Sequence, residues 1–265
     1  MSLSRNQMLD EMGLSPQWVL REQPALERGE ASAPVIIPAA SPGSKPALSV
    51  ETQASLAQYG PERAQQIAGL GWDQLRHSIA DCRACGLCAQ RKQTVPGVGD
   101  ERAGWLFIGE GPGAEEDARG EPFVGVAGKL LDAMLAAIDL KRGNDVYIAN
   151  AVKCRPPGNR TPEASEMDAC APYLKRQIAL IEPRLIVLLG RAAVHALLGE
   201  VGSLASLRGK PLAYRDGKNE IPVIVTYHPA YLLRTLSDKA KAWEDLCRAR
   251  ALMRQISREQ AASPG

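Results

Sequence analysis

Three polar side chains of different chemistry, Glu110, Asn150 and His228, each stand at the end of a short apolar run. A carboxylate accepts hydrogen bonds, an amide both donates and accepts, and an imidazole donates while able to change charge near neutrality. The stretch around Glu110, with its strand, glycine turn, acids and aromatic, suggests a pocket for a flat polar ring. Around Glu110 lies Gly109-Glu-Gly-Pro-Gly113, with Glu116 just beyond it and Phe123 in Pro122-Phe-Val-Gly125. Gly109, Gly111 and Gly113 let backbone approach a ligand with no Cβ in the way. Phe123 offers a face for stacking. Each feature also has a plainer meaning. A glycine turn joins many strands to helices, acids such as Glu115 and Asp117 solvate turns, and a lone histidine is often a satisfied core residue.

Six cysteines supply a second chemistry. Cys82-Arg-Ala-Cys85 is a tight pair, Cys154 lies in Val152-Lys-Cys-Arg-Pro-Pro157, and Cys170 follows sixteen positions later. Four thiolates suit zinc or an iron–sulfur cluster. The wide spacing of the last two leans toward a cluster. Cys88 extends the first pair into a ferredoxin-like run and is a rival ligand. Cys247, within an amphipathic helical stretch, is expected to be a core thiol.

These groups need a scaffold that gathers them. Trp105–Ile108, Val146–Ala149, Leu185–Leu189 and Val223–Tyr227 read as buried parallel strands. Helical patterns occupy Leu70–Ala80, Gly128–Leu140, Glu163–Ile181, Arg191–Leu198 and Lys239–Ile256. Alternation of strands and helices implies a parallel sheet covered on both faces. Ligands of such sheets bind beyond the carboxyl ends of the strands. Glu110, Asn150 and His228 are therefore expected along one edge.

Residues 1–75 have a different character and are read as an extension, with a globular part over 76–258 and a disordered tail over 259–265. The extension contains Ala31-Ser-Ala-Pro-Val-Ile-Ile-Pro-Ala-Ala-Ser-Pro-Gly-Ser-Lys-Pro46, whose composition suits a largely disordered tether. The apolar cluster within residues 5–22 is either a weakly packed fragment or a docking peptide for a partner protein. A net charge of +2 neither demands nor excludes nucleic acid. No apolar run reaches the roughly 20 residues of a membrane span. The first residues lack the apolar stretch of a secretory signal, so a reducing cytoplasm is expected, where cysteines serve as ligands or core residues more than as disulfides.

Gly109-Glu-Gly-Pro-Gly113 with Glu116, Pro122-Phe-Val-Gly125, Tyr147-Ile-Ala-Asn150, Lys153-Cys-Arg-Pro-Pro157 and His228-Pro-Ala-Tyr-Leu-Leu-Arg234 together resemble the family 4 uracil-DNA glycosylases. These are the iron–sulfur members of the uracil-DNA glycosylase superfamily. The resemblance runs from about Asp81 to about Arg250. It implies an α/β fold of three layers, α/β/α, around a four-stranded parallel sheet. It implies a structural 4Fe–4S cluster on Cys82, Cys85, Cys154 and Cys170, with Cys88 outside the ligand set. It places a uracil pocket on Glu110, Gly111, Glu116, Phe123, Asn150 and His228.

The implied reaction is hydrolysis of the uracil–deoxyribose bond in single- or double-stranded DNA, by a protein expected to be a monomer. Asn150 would pair with uracil N3–H and O4, His228 would donate to O2, and Glu110 would orient sugar or water. Glu116 would shape the wall facing thymine's methyl. Many superfamily members aim the water with an aspartate two residues after the motif's first glycine; here Gly111 stands there. Tyr231, Leu232, Leu233 and Arg234 would contact DNA, the apolar ones as a wedge. Arg155, Arg160, Arg208 and Lys210 are further phosphate candidates.

Overall fold

The computed structural model describes residues 61–199, 202–216 and 219–262. The tether and the apolar cluster of residues 5–22 lie outside the described residues. Among the described residues six strands form one sheet: β1 (Val98–Gly99), β2 (Trp105–Gly109), β3 (Val146–Asn150), β4 (Leu185–Leu189), β5 (Leu212–Asp216) and β6 (Asn219–Thr226). Their order is β1-β3-β2-β4-β6-β5. The middle four are mutually parallel, with Gly109 beside Asn150 and Leu188 beside Val225. The two edge strands are antiparallel. The four-stranded expectation is thus corrected to a four-stranded parallel centre with an antiparallel strand on either side. A two-residue β1 is too short to show any period. The β5–β6 hairpin did carry a signal, the Asp216-Gly217 dipeptide between two β-rich runs.

The central strands are apolar throughout because both their faces are covered. Successive side chains point to opposite faces. Trp105 and Phe107 meet Leu131, Met134 and Leu135 of helix Val126–Ala136, together with Leu246, Ala249 and Met253 of helix Lys239–Ala262. Leu106 and Ile108 meet Leu174, Ile178 and Ile181 of helix Ala164–Ile181, and Ala193 and Val194 of helix Arg191–Leu198. The result is three layers, α/β/α.

A third cluster lies to one side of the sheet. Ile67 of helix Pro61–Ala68 and Leu75 and Ile79 of helix Trp72–Ala80 bury there with Met167, Cys170 and Tyr173. The first of these helices falls within the span read as extension. Its Arg63 donates to Ala169 O at 2.9 Å and lies over the Tyr173 ring. At the other end, the last helix continues to Ala262, into the stretch expected as a disordered tail. No described helix is long and apolar enough to cross a membrane.

Candidate active site and cysteine cavity

The carboxyl ends of β2 and β3, together with the segments after β4 and β6, open onto one cleft of about 880 Å³. It is lined by Glu110, Gly111, Glu116, Phe123, Asn150 and His228, all six of the residues expected there. The sheet register explains the meeting of the first two strands. Gly109 pairs with Asn150, so the residues at and beyond them share an edge.

Asn150 is 2 % exposed and its Oδ1 has no hydrogen-bond partner. A buried acceptor left unpaired costs free energy, on the order of 1–3 kcal/mol, unless a ligand supplies a donor. Gly109 is required beside it. A Cβ there would lie 2.5 Å from both Asn150 Oδ1 and Phe123 Cζ. The backbone of β2 thus leaves the room in which amide and aromatic ring approach each other.

Phe123 is buried and adopts a left-handed φ of 56°. Its ring lies 5.4 Å from that of His228, tilted by 30°. The loop that holds this strained residue is fastened by Glu116. One carboxylate oxygen, Oε1, accepts from Val124 N at 3.0 Å and from Gly125 N at 3.1 Å. The other, Oε2, accepts from Gly113 N at 3.0 Å. Glu116 therefore ties the glycine turn to the Phe123 loop, a role the sequence pattern did not disclose. Arg142 holds the same loop from behind, donating to Pro122 O and Phe123 O at 2.8 Å each.

His228 precedes Pro229, the first residue of the short helix Pro229–Leu232, and caps it through its ring. Nδ1 accepts from Ala230 N at 3.2 Å. With Nδ1 accepting, the neutral ring carries its hydrogen on Nε2, the only ring nitrogen left to act as a donor. Burial, helped by the nearby Arg234 charge and opposed by Glu116, depresses the His228 pKa to about 4. The ring is thus a neutral donor at physiological pH. Glu110 is half-buried. Its carboxyl pKa is raised by burial, against a Thr161 hydrogen bond and the Arg234 charge, which lower it.

The segment after His228 divides sharply. Tyr231 stacks on Tyr227 at 5.1 Å and donates to Asp238 Oδ2 at 2.7 Å. Leu232 is 1 % exposed and belongs to the core, so its expected place in a DNA wedge is corrected. Leu233 and Arg234 are exposed. Leu236 and Val126, both 63 % exposed, are apolar surface residues the sequence did not single out. Val126 lines the cleft mouth, as does Arg191, which stands at the end of β4. The strand-end rule could have found Arg191.

Two phosphate candidates are already engaged. Arg160 makes a two-pronged contact with Glu166 at 2.7 and 2.8 Å. Arg208 holds buried Asp245 at 2.6 and 3.1 Å, with its guanidinium over Tyr227. Arg155 Nε donates to Asn159 Oδ1 at 2.7 Å, and Lys210 is exposed.

A second, small cavity is lined by Cys82, Cys85, Cys88, Cys154 and Cys170. No three His, Cys, Asp or Glu side chains among the described residues form a ready metal-binding group. The donor chemistry still suits an electron-poor guest. Burial pushes the Cys170 thiol up to about 12 and the Cys85 thiol to about 11, and neighbouring cysteines add to both shifts. Arg91 donates to Cys154 Sγ at 3.0 Å and Arg63 to Cys82 Sγ at 3.6 Å. Cys247 is exposed, which corrects its expected place in the core. Lys153 also lines this cavity, 1 % exposed, its pKa lowered to about 8 by burial against the opposing effect of Cys170 and Cys154.

Comparison with known proteins agrees with this geometry. Residues 96–247 match the model of the uracil DNA glycosylase superfamily. The chain is 45 % identical over 165 residues to the type-4 uracil-DNA glycosylase of Archaeoglobus fulgidus, covering 61 % of this chain and 82 % of that one. It is 42 % identical over 177 residues to the type-4 enzyme of Pyrobaculum aerophilum, covering 65 % and 90 %. The type-4 enzyme of Thermotoga maritima is 42 % identical over 180 residues, covering 67 % and 92 %. With a superfamily match over most of the folded part and relatives of this closeness, the chain belongs to the uracil-DNA glycosylase superfamily and, within it, to the type-4 family.

Proposed function

We propose that this protein removes uracil from DNA by hydrolysing the bond between the base and deoxyribose, leaving an abasic site. The observation that carries the reading is the unpaired, buried Asn150 Oδ1 sharing one cleft with the Phe123 ring and the His228 donor. A base inside a duplex cannot reach such a cleft, so the nucleotide must swing out of the stack. Phe123 gives it a face to lie on. Asn150 Oδ1 accepts from N3–H and its amide NH₂ donates to O4. Cytosine has an acceptor at N3 and would leave the buried oxygen unpaired. Discrimination built on a buried hydrogen bond is large for that reason.

As the base leaves with its bonding electrons, negative charge grows on its O2. A fixed neutral donor, His228 Nε2–H, stabilises that charge without itself losing a proton. Donors placed where charge develops contribute on the order of a hundredfold or more each. The sugar becomes cation-like and is captured by water. Glu110 orients that water or the sugar from the adjoining strand end.

The same reading assigns a structural 4Fe–4S cluster to Cys82, Cys85, Cys154 and Cys170, with Cys88 close by. When bound, the cluster would cross-link the segments that carry these four residues through iron–thiolate bonds. Arg63 and Arg91, already donating to two of the sulfurs, would offset its negative charge. DNA, single- or double-stranded, would be met by exposed Arg234 and Arg191, with Leu233 and Leu236 beside the gap left by the flipped nucleotide. The cysteine usage fits a reducing cytoplasm.

The test is excision from an oligonucleotide carrying one uracil, followed by alkali. Strand cleavage with the native protein and its loss with His228→Ala supports the proposal. Absence of cleavage, or equal cleavage by both proteins, refutes it.

A further inference from the structure

We propose that Lys153 is a positioning residue for base recognition: its buried ammonium fixes the strand end that carries Asn150. This deepens the glycosylase reading and rests on it. Lys153 Nζ donates to the Asn150 backbone carbonyl at 2.8 Å. That carbonyl needs such a donor. On the β2 side, the ladder continues through Ala151 N to Gly109 O and Val152 N to Glu110 O. On the other side, β1 meets β3 only at Ile148 and Tyr147, and stops short of Asn150. Lys153 fills the position the missing strand leaves empty.

The arrangement is costly enough to call for a purpose. Lysine is almost never fully buried unless paired, yet Lys153 is 1 % exposed. Nor is a lysine needed to pair one carbonyl, since a serine, threonine or water would do. What the long side chain adds is a strut. It starts next to Cys154, at the wall of the cysteine cavity, and ends on the backbone of the residue whose amide reads the base. Backbone that is pinned holds in place the Asn150 side chain, which lines the cleft and whose Oδ1 has no partner within the protein. A shift of about 1 Å at a recognition group can lower a rate by about a hundredfold.

The test uses the full-length protein as isolated and the methionine replacement, which keeps most of the stem and removes the donor. Lys153→Met is expected to lower single-turnover uracil excision by about tenfold to a hundredfold. It should weaken inhibition by free uracil to a similar degree and leave affinity for abasic-site DNA unchanged. The deciding measurement is a double-mutant cycle. In an Asn150→Ala background, Lys153→Met should have no further effect, because the strut has nothing left to aim. Additive losses would overturn the proposal, as would equal weakening of uracil and abasic-DNA binding. Bleaching of the visible chromophore in Lys153→Met would also overturn it, by assigning the ammonium to the cysteine site. Should Lys153→Met not fold, Lys153→Gln carries the same cycle. If the native protein excises no uracil, the glycosylase reading fails instead, and the two failures are told apart.

Discussion

Replacing Glu116 by glutamine isolates the clamp between the glycine turn and the aromatic loop. The side chains have the same shape, so packing is kept, but one oxygen becomes an NH₂ group. The carboxylate accepts three backbone N–H bonds, two at Oε1 and one at Oε2. Glutamine can keep the two at Val124 and Gly125 only by turning its NH₂ toward Gly113 N–H, donor against donor. The remaining bonds also lose their charge. Bonds to charged groups contribute about 1.5–3 kcal/mol each and neutral ones about 0.5–1.5. The half-buried position argues for the low end, giving a loss of about 2 kcal/mol. For a folded unit of this size that is about 4–8 °C in Tm. The functional loss should be larger than stability alone explains. Phe123 sits at φ 56°, a conformation that costs a non-glycine residue about 1–2 kcal/mol and persists only while its neighbours enforce it. Released, the ring leaves the position facing His228. Single-turnover excision measured well below the melting range should fall about tenfold or more. A glutamine variant within twofold of the native rate, melting within a degree of it, would refute the reasoning: the three contacts would then carry no net energy and Phe123 would be held by packing alone.

Four other outcomes follow from the site. The excision rate should show no titration near 6.5 and fall only as pH approaches 4, since burial and Arg234 hold His228 neutral down to about 4; a midpoint near 6.5 in the pH–rate profile would contradict this. The same depression means the unfolded chain takes up a proton below pH 6.5 while the folded one does not. Stability assigned to His228 is therefore whole above pH 6.5 and is lost between 6.5 and 4, by at most about 3 kcal/mol, as urea titrations of native and His228→Ala protein at the two pH values would show. Among the cysteines, Cys170→Ser should lose the bound iron, about four atoms per chain in the native protein, whereas Cys88→Ser and the exposed Cys247→Ser should retain it by iron assay and visible absorption. Arg234→Gln should weaken DNA binding and reduce the slope of log K against log salt by about 1, with no change in preference among bases.

The four central strands were legible because each is an unbroken apolar run, and the rule that ligands sit beyond strand ends then brought Glu110, Asn150 and His228 together. What stayed hidden depends on facts no local pattern carries. Tyr231, Leu232 and Leu233 are three apolar neighbours in a row, and which of them faces the core is decided by how a one-turn helix lies against helix Val126–Ala136. Cys247 adjoins core Leu246, yet one residue along a helix is a rotation of about 100°, enough to turn the thiol to solvent. Arg160 and Arg208 read as surface cations because their carboxylate partners, Glu166 and Asp245, lie six and thirty-seven residues away. Lys153 was visible only as part of a motif. Its burial and its bond to Asn150 O arise from a gap in the sheet beside β3, which depends on the length of β1.

The glycine turn shows how the two halves of the site constrain each other. A Cβ at residue 111 would lie 2.8 Å from Val152 Cγ2, closer than the 3.4 Å at which ordinary contact begins. Val152 is held in turn by its bond to Glu110 O and by its place in the cluster beneath the cysteines. An aspartate at 111, the water-aiming residue of many superfamily members, would have to displace the Val152 side chain. In this chain the acid stands one position earlier. Glu110 is held by Thr161 and faced by Arg234, and burial raises its pKa, so it is a better hydrogen-bond acceptor for water than an exposed carboxylate would be. The packing beside the thiol-lined cavity thus also keeps residue 111 without a side chain, while Glu110 is a carboxylate that the turn presents to the cleft.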